Sequence, residues 1–194
     1  DSSLIDMQAF TPDNFPFLIK QIPSNINALG LVKFMFPNKF SIYIVQKLDS
    51  LAEGSANIVI KELDIGDPKS IESAKSEIGD GIVDTLIIVA GTTGGQHQSL
   101  DDLDIDEWHT ALNINTIGPA LVARAFKANL VASGNGNLMI LSSQLGASTW
   151  PMGGMYIYSS TKAAVGKIGK ILSLDWAQEP ITVSVMHPGW VQTD

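Results

Sequence analysis

The chain contains no cysteine, and it also lacks other features that would indicate particular classes of protein. Without cysteine, neither disulfides nor thiolate metal sites can form, and we expect no metal site. No apolar run approaches the roughly 18 residues that cross a bilayer. The first residues, DSSLIDMQAF, lack the basic and then apolar pattern of a signal peptide. We therefore expect a soluble cytoplasmic protein with no membrane partner.

Positive charge is scarce in this sequence. It has 12 lysines and arginines against 20 aspartates and glutamates, a formal net charge of -8. Such a surface repels phosphate backbones, so nucleic acid is not an expected partner. The 194 residues are 45% hydrophobic, which is enough for one sizeable core. The length is short for two independent domains, so a single domain over residues 1–194 is predicted.

Short β-branched runs alternate with longer amphipathic stretches along the chain. The runs predict strands at 57–64, 84–91, 137–143 and 181–189. Three of them are nearly continuous apolar runs, which is typical of strands covered on both faces. The stretches between them predict helices at 67–79, 104–134 and 155–176. This alternation predicts right-handed crossovers and a parallel sheet, which is a doubly wound α/β fold of Rossmann type with three layers.

The ends of two predicted helices carry recognisable signals. Asp67 followed by Pro68 is a good N-cap with proline at the first helical position, and Gly134 is a good stop. The first fifty residues are less regular. They can be divided into a strand at 17–21, a helix at 27–36 and a strand at 40–45. Such a first βαβ unit would bind a dinucleotide at the N-terminus of its helix.

Tyr158 and Lys162 lie four residues apart in the last predicted helix. This spacing places both on one face, so their polar ends can reach one ligand. A nearby ammonium stabilises phenolate and lowers the pKa of a tyrosine, which makes the phenol a usable proton donor and acceptor. The same spacing is common in helices by chance, and by itself it is far more typical of a solvated helix edge.

Polar residues elsewhere give this pair a context. Ser142 and Ser143 end a predicted strand, at the carboxyl edge where open α/β sheets bind their ligands. A serine hydroxyl there can hold a substrate oxygen while a tyrosine moves its proton. Asn115 lies inside a long predicted helix, where an amide lowers helix propensity. Either a functional role or a local bend assisted by Gly118 and Pro119 would explain it.

Six segments together resemble the short-chain dehydrogenase/reductase family, especially its small carbonyl-reductase-like members. The resemblance covers roughly residues 57–194, and its segments are LDIGD, AGTTGG, NINTIGP, ILSSQLGAS, YSSTKAA and HPGWVQTD, in this order. It implies hydride transfer between a nicotinamide cofactor, NADP or NAD, and a carbonyl or alcohol. It also implies a homodimer or homotetramer, paired through two long helices.

The resemblance assigns roles to residues by position. The catalytic residues are Asn115, Ser143, Tyr158 and Lys162. Tyr158 would be the general acid in reduction, Ser143 would orient the substrate oxygen, and Lys162 would lower the tyrosine pKa and hold the nicotinamide ribose. Asn115 would hold a water that links Lys162 to solvent. The residues near the cofactor would also include Asp64 at the adenine end, Ala90, Gly91, Pro188, Gly189 and Thr193.

The segment 148–156 separates the serine from the tyrosine and borders the substrate in relatives. Trp150, Met152 and Met155 would give it an adaptable apolar lining, which predicts a hydrophobic carbonyl substrate. Trp150 is equally consistent with a core or interface residue.

One motif of the family is missing. The glycine-rich turn TGxxxGxG aligns with QIPSNINALGLVKF, which puts Ile22, Ile26 and Ala28 where the three glycines belong. Side chains there would intrude on a bound pyrophosphate, and Pro23 removes an N–H donor. The family's NNAG also reads IVAG here. A protein that kept the fold but lost the dinucleotide, acting as a lyase, an isomerase or a binding module, is therefore the alternative.

Two further features bear on the cofactor and on the extent of the fold. Gln46 and Lys47 follow the second predicted strand, so no acidic residue there binds a ribose 2′-hydroxyl, which favours NADP. The chain stops at WVQTD, where relatives continue into a substrate lid and a final strand. We therefore expect the usual C-terminal part of the fold to be lacking.

Overall fold

The structure, a computed structural model, describes residues 61–189. Its elements are α1 (Pro68–Ile78), β1 (Thr85–Ile88), α2 (Ile105–Leu112), a π-helical turn (Asn113–Ile117), α3 (Gly118–Ala132), β2 (Gly136–Leu141), a 3₁₀ turn (Gln144–Gly146), α4 (Tyr156–Asp175) and β3 (Ile181–Met186). The predicted βαβ unit of the first fifty residues, the missing glycine turn and Thr193 lie outside the described residues. The three strands end two to three residues earlier than the sequence predicted, because their ends turn into the loops of the site.

The three described strands form one parallel sheet in the order β1-β2-β3. Leu86 on β1 lies opposite Leu138 on the central strand, and Ile140 on the central strand lies opposite Val185 on β3. A parallel α/β sheet is therefore confirmed. The three described strands follow one another across the sheet in chain order. A doubly wound fold also has helices on the other face of the sheet, and that second layer is not among residues 61–189.

The core lies between one face of this sheet and the helices. Leu86, Ile88, Leu138 and Ile140 are fully buried on that face. Phe126 and Leu130 of α3 and Val165 of α4 complete the same cluster. Burying each of these side chains stabilises the fold by roughly 1.5 to 3 kcal/mol. The alternate residues of β2, Asn137, Met139 and Leu141, are only half-buried.

The first helix begins as the sequence predicts. The Asp67 side chain accepts a hydrogen bond from the Lys69 backbone N–H, and Pro68 occupies the first turn. The strand predicted at 57–64 is not confirmed where it can be checked, because residues 61–64 are not in a strand. The backbone of Asp64 instead binds Ser70 Oγ through its N–H and accepts from the Asp67 N–H through its carbonyl, which is a turn.

The prediction of one continuous helix over 104–134 is wrong in the middle. A π-helical turn, Asn113–Ile117, separates α2 from α3. Three polar side chains of this turn find partners outside the helix, on Gly66, Thr92 and Thr161. The wider turn thus carries side chains that bond to other parts of the chain. Such π-bulges inside α-helices are frequent at functional sites. Gly134 does follow the end of α3 and has a φ of 73°.

Candidate active site

Lys162 lies at the centre of the carboxyl edge of the sheet. Its Nζ donates a hydrogen bond to the Leu141 carbonyl at the end of β2, at 3.0 Å. The same Nζ lies 5.8 Å from the centre of the Tyr158 ring. The helix face predicted from the spacing of these two residues is therefore present, and it is turned toward the strand ends.

The Lys162 side chain is almost completely buried, with 4% of its surface exposed. Burial lowers the pKa of this lysine to about 8. Desolvation disfavours the charged form of a group, and a nearby carboxylate would counter it. No acidic side chain within residues 61–189 forms an ion pair with Lys162. This ammonium is therefore held by a backbone carbonyl and an aromatic ring.

Gly91 lies directly against Lys162. A Cβ added to this glycine would stand 3.2 Å from Lys162 Nζ and 3.3 Å from Asn115 Oδ1. The loop after β1 thus packs so closely on the lysine that a side chain at residue 91 would require these two polar atoms to move by a few tenths of an ångström. Ala90, its neighbour, is half-buried and packs against the core.

Asn115 is buried and holds this loop in place. Its Oδ1 accepts from the Thr92 N–H, and its Nδ2 donates to the Thr92 carbonyl and to Thr161 Oγ1, each at 2.8 Å. Both amide hydrogens are therefore used within the protein. The asparagine fixes the loop after β1 to the helix that carries Tyr158 and Lys162, and its expected role of holding a water stays a prediction.

The two serines at the end of β2 are used differently. Ser142 donates its hydroxyl proton to the Lys162 carbonyl at 2.9 Å. Ser143 accepts from the Leu145 N–H at 3.2 Å, which caps the 3₁₀ turn. Among residues 61–189 no acceptor takes the Ser143 hydroxyl proton, so this proton can point at a substrate oxygen. The catalytic role of Ser143 itself stays a prediction.

The residues expected near the substrate surround the start of α4. Tyr158 and Trp150 are half-buried, whereas 68% of Met152 is exposed. Met155 is half-buried and has a φ of 50°, a left-handed conformation that is uncommon for a side chain of this kind. The apolar lining predicted from Trp150 and Met155 stays a prediction.

The expected adenine end lies in the turn before α1. Asp64 is exposed, and its Oδ1 accepts from the Gly66 N–H at 2.8 Å. Asn113 of the π-helical turn donates to the Gly66 carbonyl at 2.7 Å and so fixes this turn. At the far end of the site, Pro188 and Gly189 are exposed after β3.

These features match known proteins. The family model described as short chain dehydrogenase matches residues 42–194. The chain belongs to the short chain dehydrogenase family. Dehydrogenase/reductase SDR family member 6 of Rattus norvegicus is 31% identical over 147 residues, which are 76% of this chain and 58% of that protein. The chain spans little more than half the length of the curated relatives it matches.

Two solved carbonyl reductases share the fold of this family member. The carbonyl reductase Sniffer of D. melanogaster superposes with a TM-score of 0.71 at 25% identity, over 83% of this chain and 70% of that one. The NADPH-bound carbonyl reductase from chicken fatty liver has a TM-score of 0.72 at 26% identity, over 82% of this chain and 69% of that one. The family and the Rossmann-like fold predicted from the sequence are confirmed.

The described part of this dehydrogenase-family chain has neither a membrane-spanning helix nor a metal cluster. No helix within residues 61–189 is both long and apolar enough to span a bilayer. In the same range, no group of three His, Asp or Glu side chains is arranged to hold a metal ion.

Three residues of the site were not found from the sequence. Gln98 and Gly146 contact α4 from loops, and loop contacts have no periodic pattern. Asn113 carried a usable signal, because it is a second asparagine inside a predicted helix, two positions before Asn115.

Gly146 allows the 3₁₀ turn after Ser143 to pack on the backbone of α4. A Cβ at this position would lie 2.6 Å from the Lys162 carbonyl carbon and 2.7 Å from the Ala163 nitrogen. Backbone atoms cannot rotate away, so one element must shift. We expect Gly146→Ala to lower the free energy of unfolding by about 2 kcal/mol, measured by urea denaturation.

Gly153→Ala is the matched control for stability. No heavy atom lies within 4 Å of a Cβ at Gly153, and the same substitution there should be nearly neutral. Equal stability of the two variants would contradict the close packing of Gly146 on α4.

Proposed function

We propose that this chain is an NADPH-dependent oxidoreductase that reduces the carbonyl group of a small, apolar substrate, or oxidises the corresponding alcohol. The observation that carries the proposal is the position of Lys162. Its buried ammonium lies beneath Gly91, at the carboxyl edge of a parallel sheet and on the same helix face as Tyr158. Parallel α/β sheets bind their ligands at this edge.

The residues around Lys162 fit a dinucleotide. Gly91 places no side chain against Lys162 Nζ, a polar atom that can reach a ribose. Asp64 stands exposed at the other end, where its carboxylate can accept from an adenine amino group. Gly91, Lys162, Pro188, Gly189 and Thr193 would hold the nicotinamide half. When bound, the cofactor supplies the hydride.

The chain's own residues then handle the proton and the substrate oxygen. The Ser143 hydroxyl orients the carbonyl oxygen, and Tyr158 donates a proton to it from its phenol as the general acid. The Lys162 ammonium, 5.8 Å from the centre of the Tyr158 ring, offsets the negative charge that is left on the phenol oxygen. In the reverse direction the same phenolate accepts the proton from an alcohol.

A second candidate rests on the sequence alone. Ile22, Ile26 and Ala28 replace the glycines of the phosphate-binding turn. A chain that binds no dinucleotide would use the same side chains for proton transfer without a cofactor, as a lyase or an isomerase, or would act as a binding module. Cofactor binding therefore separates the two candidates.

Titration of the full chain with NADPH and NADH, by calorimetry, is the deciding experiment. We expect NADPH to bind more tightly than NADH, because the residues directly after Val45 are Gln46 and Lys47, and neither can select a free 2′-hydroxyl as an acidic residue would. Asp64→Ala should weaken NADPH binding by about threefold to tenfold, the value of one hydrogen bond. Asp101→Ala, which removes an exposed charge from a loop, is the control and should not change the affinity.

Absence of binding by either cofactor at millimolar concentration, with the chain folded by circular dichroism, would contradict the oxidoreductase proposal. The cofactor-free candidate would then stand.

A homodimer or homotetramer is part of the same proposal. Apolar side chains remain exposed on the two long helical segments expected at the contact. They are Ile105 and Ile117 on the α2 side and Ile171 and Leu174 on α4. Covering them with a second copy of the chain would remove this apolar surface from water.

A further inference from the structure

The helix that carries Tyr158 begins without a cap of its own. The residue before it, Met155, has no side-chain acceptor and adopts a left-handed conformation, with φ 50° and ψ 46°. The first N–H groups of a helix have no partner within the helix, and a Ser, Thr, Asp or Asn usually supplies one. The first turn of α4 therefore takes its acceptors from elsewhere.

Gln98 supplies two of them. Its backbone carbonyl accepts from the Tyr156 N–H at 3.2 Å. Its side-chain Oε1 accepts from the N–H of Tyr158, the candidate general acid, at 3.4 Å. Gln98 is 60 residues away in the chain, so this cap is a tertiary contact.

The other end of the same amide holds the loop after β1. Nε2 of Gln98 lies 2.8, 3.2 and 3.3 Å from the carbonyl oxygens of Thr93, Gly94 and Gly95, so its two N–H groups are shared among three acceptors. Both glycines have positive φ, 79° and 81°. The Tyr158 N–H needs an acceptor and the three carbonyls need a donor, so the amide oxygen of Gln98 faces Tyr158 and its nitrogen faces the loop.

The loop and the helix start are also in direct contact. A Cβ on Gly94 would lie 2.3 Å from Ile157 Cγ2, so the loop packs on the residue next to Tyr158. Two residues earlier, Thr92 is fixed by Asn115, beside Gly91 and Lys162. A single loop therefore extends from the expected cofactor position to the first turn of the catalytic helix.

We propose that Gln98 is a positioning residue for Tyr158, because its amide joins the loop over the cofactor position to the uncapped start of the helix. It touches no reacting atom, and it acts by fixing the backbone of Tyr158 relative to Gly91. An amide is needed at this position. A glutamate carboxylate has no N–H, so it would lose the contacts with the three loop carbonyls, and a methionine side chain would also lose the bond from the Tyr158 N–H. The kinetic consequence rests on the proposed reductase function, whereas the structural consequence does not.

The structural consequence can be measured on the full chain without any substrate. The chain has three tyrosines, so labelling with ¹³Cζ-tyrosine gives three resonances, each assigned by its own Tyr→Phe variant. In Gln98→Met the Tyr158 resonance should shift, and its backbone amide should exchange with solvent about tenfold faster. Gln96→Met is the matched control, because Gln96 is exposed in the same loop, and it should leave both signals unchanged.

Gln98→Glu separates two roles of the side chain, which are to accept from the Tyr158 N–H at the helix start and to bind the carbonyls of the loop. It keeps an acceptor for the Tyr158 N–H and places negative charge near a helix N-terminus, which is favourable. It loses the bonds to the three loop carbonyls. The Tyr158 amide should stay protected while the Tyr158 resonance still shifts, and this variant also serves if the methionine variant does not fold.

Kinetics test the positioning role. With NADPH and benzaldehyde as the probe, both Gln98 variants should lower kcat by about tenfold with the KM for benzaldehyde within about twofold, because a misplaced acid slows the chemical step more than it weakens binding. Gln96→Met should match the unsubstituted chain.

Three results are decisive. A Tyr158 resonance that is the same in Gln98→Met, Gln98→Glu and Gln96→Met overturns the proposal, and so does an unchanged kcat in the Gln98 variants. A chain that turns over no carbonyl compound refutes the reductase function instead, and the tyrosine resonance then still decides whether Gln98 places Tyr158.

Discussion

Replacing Tyr158 with phenylalanine is expected to lower the rate of carbonyl reduction by about 10² to 10⁴, the usual contribution of a general acid or base. The phenyl ring remains, so the contact of the ring with the Lys162 ammonium is kept and the fold should not change. Only the proton donor is lost. The measurement is kcat for an aromatic aldehyde with NADPH, with folding checked by circular dichroism.

Tyr156→Phe is the control for this experiment. Tyr156 lies two residues earlier in the same helix, and 43% of its surface is exposed. Its position on another side of the helix directs its hydroxyl away from Lys162. We expect nearly full activity from this variant. Full activity in a folded Tyr158→Phe protein would end the assignment of Tyr158 as the acid.

The buried lysine should make the protein more stable as pH rises above 8. The pKa of Lys162 is lowered from 10.5 to about 8 in the folded chain. Between these values the unfolded chain keeps a proton that the folded chain has released, so stability increases with pH across this window. The cost of burying the ammonium is fully present below pH 8. A tenfold change in a protonation equilibrium corresponds to about 1.4 kcal/mol, so the free energy of unfolding should rise by about 3 kcal/mol in total.

Comparison with Lys162→Met isolates this effect from other titrations. The free energy of unfolding in urea is measured for both proteins from about pH 7 to about pH 10.5, which brackets the two pKa values. The difference, unsubstituted chain minus variant, should rise by about 3 kcal/mol over the range. Lys167→Met, at an exposed position of the same helix, should show no such trend. A difference for Lys162→Met that stays constant with pH would contradict the burial of a charged amine.

The sequence predicted those parts of the fold that depend on local signals. Asp67 with Pro68 marked the start of α1, because capping is determined by a few neighbouring residues. The apolar runs indicated β1, β2 and β3, since strands buried in a parallel sheet have few polar residues. The parallel sheet followed from the alternation of strands and helices, and the family followed from six short segments.

The parts that were missed depend on contacts between distant residues. An α-helical period cannot show the π-helical turn, because the partners of Asn113 and Asn115 lie 47 and 23 residues away. Gln98 is likewise an ordinary polar loop residue in the sequence, and its importance comes from a helix start 60 residues later. The strand predicted at 57–64 fails at its end because Ser70 takes the Asp64 N–H into a turn.

The parallel sheet has a consequence for the order in which the chain can fold. Each strand pairs with a neighbour about 50 residues away, as Thr85 does with Asn137 and Gly136 with Ile181. Pairing of this kind must close a long loop before any strand contact forms, which places folding at the slow end of the range for domains of similar size. The helix with Tyr158 lies within the last of these loops. During synthesis its docking site on the sheet is therefore complete only after Met186 has left the ribosome, and until then its apolar face needs protection from other chains.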